Sequence, residues 1–203
     1  LMGRIASLCY ARFVKNGTPL ALVSTDNCSH NGDKLKAGVM AYVDAWKQAG
    51  KVDDDFVSYM EEKVSFPWSM IDKITPRPDE KVKEMLEKDG FEDTDLIITS
   101  RNTYTAPFVN SEETGYLVIE DNFPNGRPPL EKAGIVFTDR ETVDKVEKMK
   151  VCTCLNPLHT ALAIYGCMLG HTSIHDEMED KELSQLIQKM CYEEAMPAVV
   201  NPG

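Results

Sequence analysis

Residues 20–36 read LALVSTDNCSHNGDKLK, and the first half of this stretch decides the fold class. Residues 20–24 form an apolar run of strand length, as expected for a parallel strand covered on both faces. Asp26, Asn27, Ser29 and Asn31 then crowd the turn into the next helix, where open α/β sheets bind ligands. Outward from this point, residues 1–15 carry a helical apolar stripe (Leu1, Ile5, Leu8, Phe13) that ends at Asn16-Gly17 in a left-handed cap. On the other side, residues 35–48 and 55–64 have helical periodicity, residues 70–74 read as a short strand, and residues 79–88 as a charged surface helix. Residues 96–99, 117–119 and 135–137 read as further strands, and Pro124, Gly126, Pro128 and Pro129 mark an exposed connection. From Glu141 onward only helical spacing remains, with Leu158, Leu162, Tyr165 and Leu169 and then Leu183, Leu186, Ile187 and Met190 on apolar faces. The sequence therefore divides into an α/β part, residues 1–141, and a helical part, residues 142–203.

The bulk numbers are compatible with that reading. A chain of 203 residues that is 42% hydrophobic can bury a core. A formal charge of −11 argues against non-specific binding to nucleic acid or to an anionic membrane surface, both of which need clustered Lys and Arg. No apolar run reads as long enough to cross a bilayer, and no signal sequence opens the chain. The six cysteines are scattered, four of them in or beside apolar runs that read as buried helix faces, and free thiols in a cytoplasmic protein are expected.

Four ordered blocks carry a family resemblance: VSTDNCSHNGDKLK (residues 23–36), FPWSMIDKITP (66–76), VIEDNFPNGRPPLEKAG (118–134) and EKMKVCTCLNPLH (147–159). Together they resemble the polyol-specific long-chain dehydrogenases, the mannitol dehydrogenase and fructuronate reductase family. In the second block Met70, Asp72, Ile74, Thr75 and Pro76 match the family pattern, while Ile71 and Lys73 replace the usual Val and Arg with size and charge kept. The resemblance implies part of a Rossmann-like nucleotide-binding domain followed by the start of a mainly helical domain like that of 6-phosphogluconate dehydrogenase. Such an enzyme should begin with a glycine-rich phosphate-binding turn, yet no glycines here fall in GxG spacing. The chain is therefore expected to be the middle of a longer polypeptide.

Oxidising a secondary alcohol needs a base for the hydroxyl proton, donors for the developing oxyanion and a nicotinamide ring for the hydride. The resemblance assigns the base to Lys150, the oxyanion clamp to Asn27 and Asn156, and a proton relay to Glu147. It places His159 on an adjacent substrate hydroxyl, Asn31 at the substrate, and Asp72 with Ile71 beside the nicotinamide. The implied cofactor is NAD, and no metal takes part: Cys152, Cys154 and His159 lack a fourth ligand and the usual spacing of a zinc site. The family pattern puts Asn five positions after the lysine, whereas Asn156 follows Lys150 by six. On one unbroken α-helix six positions leave the two side chains about 120° apart, at ~100° per residue. Asn156-Pro157 offers a helix start, with Asn as N-cap, Pro in the first turn and residues 151–155 irregular. His159 would then lie in a first turn, where the helix dipole favours a neutral imidazole. From spacing alone Lys150 reads equally well as a solvated lysine before a capped helix, and Asn27 as a turn residue capping its own backbone.

The resemblance implies interconversion of a keto sugar or keto sugar acid and its polyol or aldonate, with fructuronate and mannonate the first choice. Mannitol 2-dehydrogenase and tagaturonate reductase activities are the alternatives within the family. A non-catalytic sugar-binding or nucleotide-binding protein of the same fold is the alternative outside it. The partners expected are a small sugar or sugar acid, with neither nucleic acid nor membrane and with a monomeric or dimeric state.

Overall fold

The computed structural model describes residues 1–73, 75–111 and 117–202. It separates into two compact units, Leu1–Ile71 with Leu117–Gly203, and Asp72–Tyr116.

The first unit opens with helix α1 (Met2–Lys15), followed by strand β1 (Leu20–Ala21). Gly17 turns the chain at φ +58°, and its N–H bonds the Arg12 carbonyl, as a left-handed helix stop requires. Arg12 then holds the connection into β1 by donating to the carbonyls of Thr18 and Pro19, and the Tyr59 hydroxyl also donates to Thr18. Helix α2 (Asn31–Gln48) starts four residues earlier than its apolar periodicity predicts, directly out of the turn. Helix α3 (Asp54–Glu62) is capped by Asp53 and leads into β2 (Val64–Ser65), which pairs parallel with β1. The expected strand over residues 20–24 is thus shorter in regular pairing, although the Leu22 N–H still reaches the Ser65 carbonyl. Ala6, Cys9, Val39, Val43, Phe56, Met60 and Phe66 form the core between these elements.

A second small sheet runs β3 (Ser69–Met70), β6 (Val118–Glu120), β7 (Val136–Thr138), with β6 antiparallel to β3 and parallel to β7. All three residues of β6 are buried, including Glu120. The connection from β6 to β7 is fixed by Arg127, which pairs with both carboxylate oxygens of Asp121, bonds Glu131 and lies 3.5 Å over the Phe137 ring. Its pairing holds the Asp121 carboxyl below the usual aspartate range.

After β7 only helices follow: α5 (Arg140–Glu147), a π-wound stretch (Lys148–Leu155), α6 (Asn156–Leu169), α7 (Ile174–Glu179), α8 (Lys181–Lys189), a second π-wound stretch (Met190–Ala195) and a final turn, α9 (Met196–Ala198). Ala161, Leu162, Leu183 and Ile187 make the core of this part. Arg140–Leu169 is one continuous helix, and by length and composition it is apolar enough to cross a bilayer, which the sequence reading did not expect. Core helices pass the same test. The six cysteines are all free thiols, and only Cys9 is buried, so the expectation of four cysteines on buried helix faces is corrected. Burial raises the Cys9 thiol above its ordinary value.

The second unit contains α4 (Glu80–Lys88), capped by Asp79, and the hairpin β4 (Ile97–Ile98) to β5 (Tyr104–Thr105). Lys83 links α4 to Asp95, and Arg77 lies over the Tyr104 ring. Of the strand expected over residues 70–74, only Met70 is in regular pairing, and Ile74 lies outside the described residues.

Candidate active site

The turn after β1 carries the first group of expected residues. Asn27 is exposed there, and His30 ends the turn with a left-handed backbone, φ +54°. A non-glycine residue in that region is held by its surroundings. Here the His30 ring stacks on Trp68 at 4.1 Å, and its Nε2 sits 3.0 Å from Asp144 on α5. Arg140 lies over the Trp68 ring at 4.7 Å and pairs with Glu120 at 3.0 Å. Glu120 in turn accepts the Trp68 backbone N–H. Ser29 donates its hydroxyl proton to the carboxylate of Glu147. These bonds tie the Asn27 turn to the helix that carries Glu147 and Lys150.

Gly32, the next residue, allows a close approach that no other residue would. A Cβ there would lie 2.4 Å from the Phe66 carbonyl oxygen and 2.8 Å from that of Pro67. Asn31 is buried, and its carboxamide is committed to protein: Nδ2 donates to the Ser69 carbonyl and hydroxyl at 2.9 Å and to the Asp26 carbonyl at 3.1 Å, while Oδ1 accepts the Ser69 N–H at 3.1 Å. Asn31, expected at the substrate, is in these bonds a brace between the turn and β3.

The helix start expected at Asn156 is also corrected. Leu155 and Asn156 both have helical backbone angles, so Asn156 is not an N-cap, and residues 151–155 are wound as part of a π-helix. His159 is exposed in the interior of the continuous helix, where the first-turn dipole argument no longer applies. Proline explains the winding. Pro157 has no N–H to give and its ring crowds the carbonyl four residues back, which the wider i→i+5 ring relieves. The second π-wound stretch ends the same way, two residues before Pro197. A π turn takes in one residue more than an α turn. The six-residue step from Lys150 to Asn156 then turns as five α-helical steps would, about 500° at ~100° each, which is the family spacing. Asn156 and His159, three apart on α6, share a face.

Glu147 is buried and Lys150 is half-buried. Lys148 is turned to Asp144 at 2.7 Å, a bond that holds the Asp144 carboxyl below its ordinary value, with the His30 contact adding to it. Ile71 and Asp72 are half-buried at the end of β3, Asp72 being the first residue of the second unit.

At the mouth of β1 lies a cavity of about 400 Å³ lined by Met2, Ile5, Val23, Ser24, Asp26 and Asn31 among others. It opens at the C-terminal end of a parallel strand, where a nucleotide fits such folds. Among the described residues no group of three His, Cys, Asp or Glu is placed to hold a metal ion.

The sequence reading placed Ser29 in the turn without a role and missed His30, Trp68, Glu120 and Arg140. His30 and Trp68 sit inside two of the quoted blocks, but their signal is a tertiary stack that spacing does not reveal.

Residues 1–132 match the family described as the mannitol dehydrogenase Rossmann domain. The chain is 54% identical to the D-mannonate oxidoreductase of Thermotoga maritima, over the whole of this chain and 38% of that protein. Among solved structures, a substrate-free D-sorbitol dehydrogenase is similar with a TM-score of 0.77 at 26% identity, over 100% of this chain and 38% of that one. The mannitol 2-dehydrogenase of Pseudomonas fluorescens, solved as a ternary complex with NAD and D-mannitol, gives 0.71 at 26% identity over 99% and 37%. The chain thus spans 38% of the length of the mannonate relative.

Proposed function

We propose a reaction from one premise: the chain belongs to the mannitol dehydrogenase family. The reaction is NAD-dependent interconversion of a keto sugar acid and its aldonate, with fructuronate and mannonate the first choice. The 54% identity to a D-mannonate oxidoreductase supports that pair. The observation that carries the site is the tie between the turn of Asn27 and the helix of Glu147 and Lys150.

On this reading residues 1–141 are the later part of the nucleotide-binding domain and residues 142–203 the start of the substrate-binding domain. The residues of the cavity beside β1, with Ile71 and Asp72, would hold NAD, which would supply or accept the hydride. Lys150 gives a proton to the carbonyl oxygen as that oxygen becomes a hydroxyl, and takes it back in the reverse direction. Asn27 and Asn156 donate to the same oxygen while it carries charge, and losing one such donor raises the barrier by roughly 3 kcal/mol. His159 bonds a neighbouring hydroxyl, and Glu147 passes the proton between Lys150 and water. No metal is called for, because a lysine and two carboxamides do the work of a Lewis acid. A cytoplasmic location goes with this metabolism of small sugar acids.

The test is NADH oxidation by the full-length protein with fructuronate, tagaturonate or fructose, repeated with Lys150→Ala. Turnover with fructuronate that falls at least a thousandfold in the variant supports the reading. Binding of every substrate without turnover, or a Lys150→Ala variant as fast as the parent, refutes it.

A further inference from the structure

The hydroxyl of Ser29 is donated to Glu147, a carboxylate only 9% exposed, while one helical turn earlier His30 meets Asp144. Two consecutive residues of the turn thus grip two residues of α5 that share a face. Lys148, the next residue along the helix, is engaged with Asp144.

We propose that Ser29 is a positioning residue for the proton relay: its hydroxyl fixes the Glu147 carboxylate against the Asn27 turn, where it can accept the proton that leaves Lys150. A buried carboxylate is driven toward its neutral form by desolvation, and a hydrogen bond given to the charged form opposes that drive. This inference rests on the roles proposed above for Lys150 and Glu147. The titratable and charged groups on the elements around Glu147 are Arg140, Glu141, Asp144, Lys145, Lys148, Lys150, Cys152 and Cys154 on its own continuous helix, Asp26, Cys28 and His30 on the turn, Glu120 on β6, and Cys191, Tyr192, Glu193 and Glu194 on the second π-wound stretch, which packs on the first. None of them is altered by changing Ser29.

Two measurements on the full-length protein decide it, each for the parent, Ser29→Ala and Ser29→Thr, with Glu147→Gln as the assignment. The first is the side-chain carboxyl titration of Glu147 by ¹³C NMR with labelled glutamate. Loss of a bond given to the charged form should move it up in Ser29→Ala, and Ser29→Thr should restore it. The second is the pH profile of kcat for NADH-dependent fructuronate reduction. The limb absent from Glu147→Gln should move with the carboxyl, and KM should stay within about twofold. A carboxyl titration unchanged in Ser29→Ala overturns the proposal, and so does a kcat limb that stays in place while the carboxyl moves. If the parent turns over no keto sugar the catalytic reading fails by itself, and the NMR titration still decides whether Ser29 governs Glu147.

Discussion

Replacing Asn31 separates a brace from a substrate contact. In Asn31→Ala the buried Ser69 N–H loses its acceptor, and an orphaned buried donor costs about 1–3 kcal/mol. The Ser69 and Asp26 carbonyls lose a donor as well, adding roughly 1 kcal/mol net. The total of about 2–4 kcal/mol corresponds to a fall in Tm of about 5–10 °C for a domain of this size. Asn31→Asp is the sharper probe. It keeps an acceptor for the Ser69 N–H but turns a carboxylate oxygen toward two carbonyls where a donor is needed. It should therefore be at least as destabilising as Ala at neutral pH, and less so in acid, where a protonated carboxyl regains one donor. Thermal melts of the full-length protein at pH 7 and pH 5, with KM measured alongside, check both variants. An Asn31→Ala melt within about 1 °C of the parent, together with a large rise in KM, would refute the reasoning and return Asn31 to the substrate.

Gly32→Ala places a Cβ against two backbone carbonyls that cannot rotate away, and should cost about 1–3 kcal/mol in urea denaturation. A neutral result there would mean that α2 and the segment before β3 are less closely apposed. Deleting Cys152 together with Pro157→Ala should let the π-wound stretch close into α-helix, with turnover kept within about tenfold. The deletion without the proline change should cost about 3 kcal/mol, read from the same denaturation curves. Acid stability should follow the paired carboxylates. Asp121, Asp144 and Asp180 are held below the ordinary aspartate value of 3.8 by Arg127, by Lys148 and by the α8 N-terminus respectively. A depressed folded-state value stabilises at every pH above the unfolded value and is lost as the pH falls through the folded one. Urea midpoints should thus hold down to about pH 4 and drop below it, and a midpoint that starts to fall near pH 6 would point to histidine instead.

Much of the fold was legible because its elements carry local signals: α1 stops at Asn16-Gly17, α4 is capped by Asp79, and the helical part begins at Arg140 where the strand pattern ends. The strands at β1, β3 and β4 were read too long, since apolar runs continue past regular pairing, those at β6 and β7 were read one residue early, and the two-residue strands β2 and β5 were not read at all. The error at Asn156-Pro157 has one cause. Asn before Pro signals a helix start in isolation, but a π turn lets the helix run through and absorbs the extra residue. At the site, motif spacing singled out the residues proposed to do the chemistry, whereas Ser29, His30 and Trp68 act through partners more than thirty positions away in sequence.

A crystal structure of the full-length protein with NAD and mannonate tests the central claim most directly. The account predicts one substrate oxygen within hydrogen-bond distance of the Lys150 amine and of the Asn27 and Asn156 carboxamides together. A Lys150 amine directed into bulk solvent, with the two asparagines too far apart to meet a single oxygen, would contradict it.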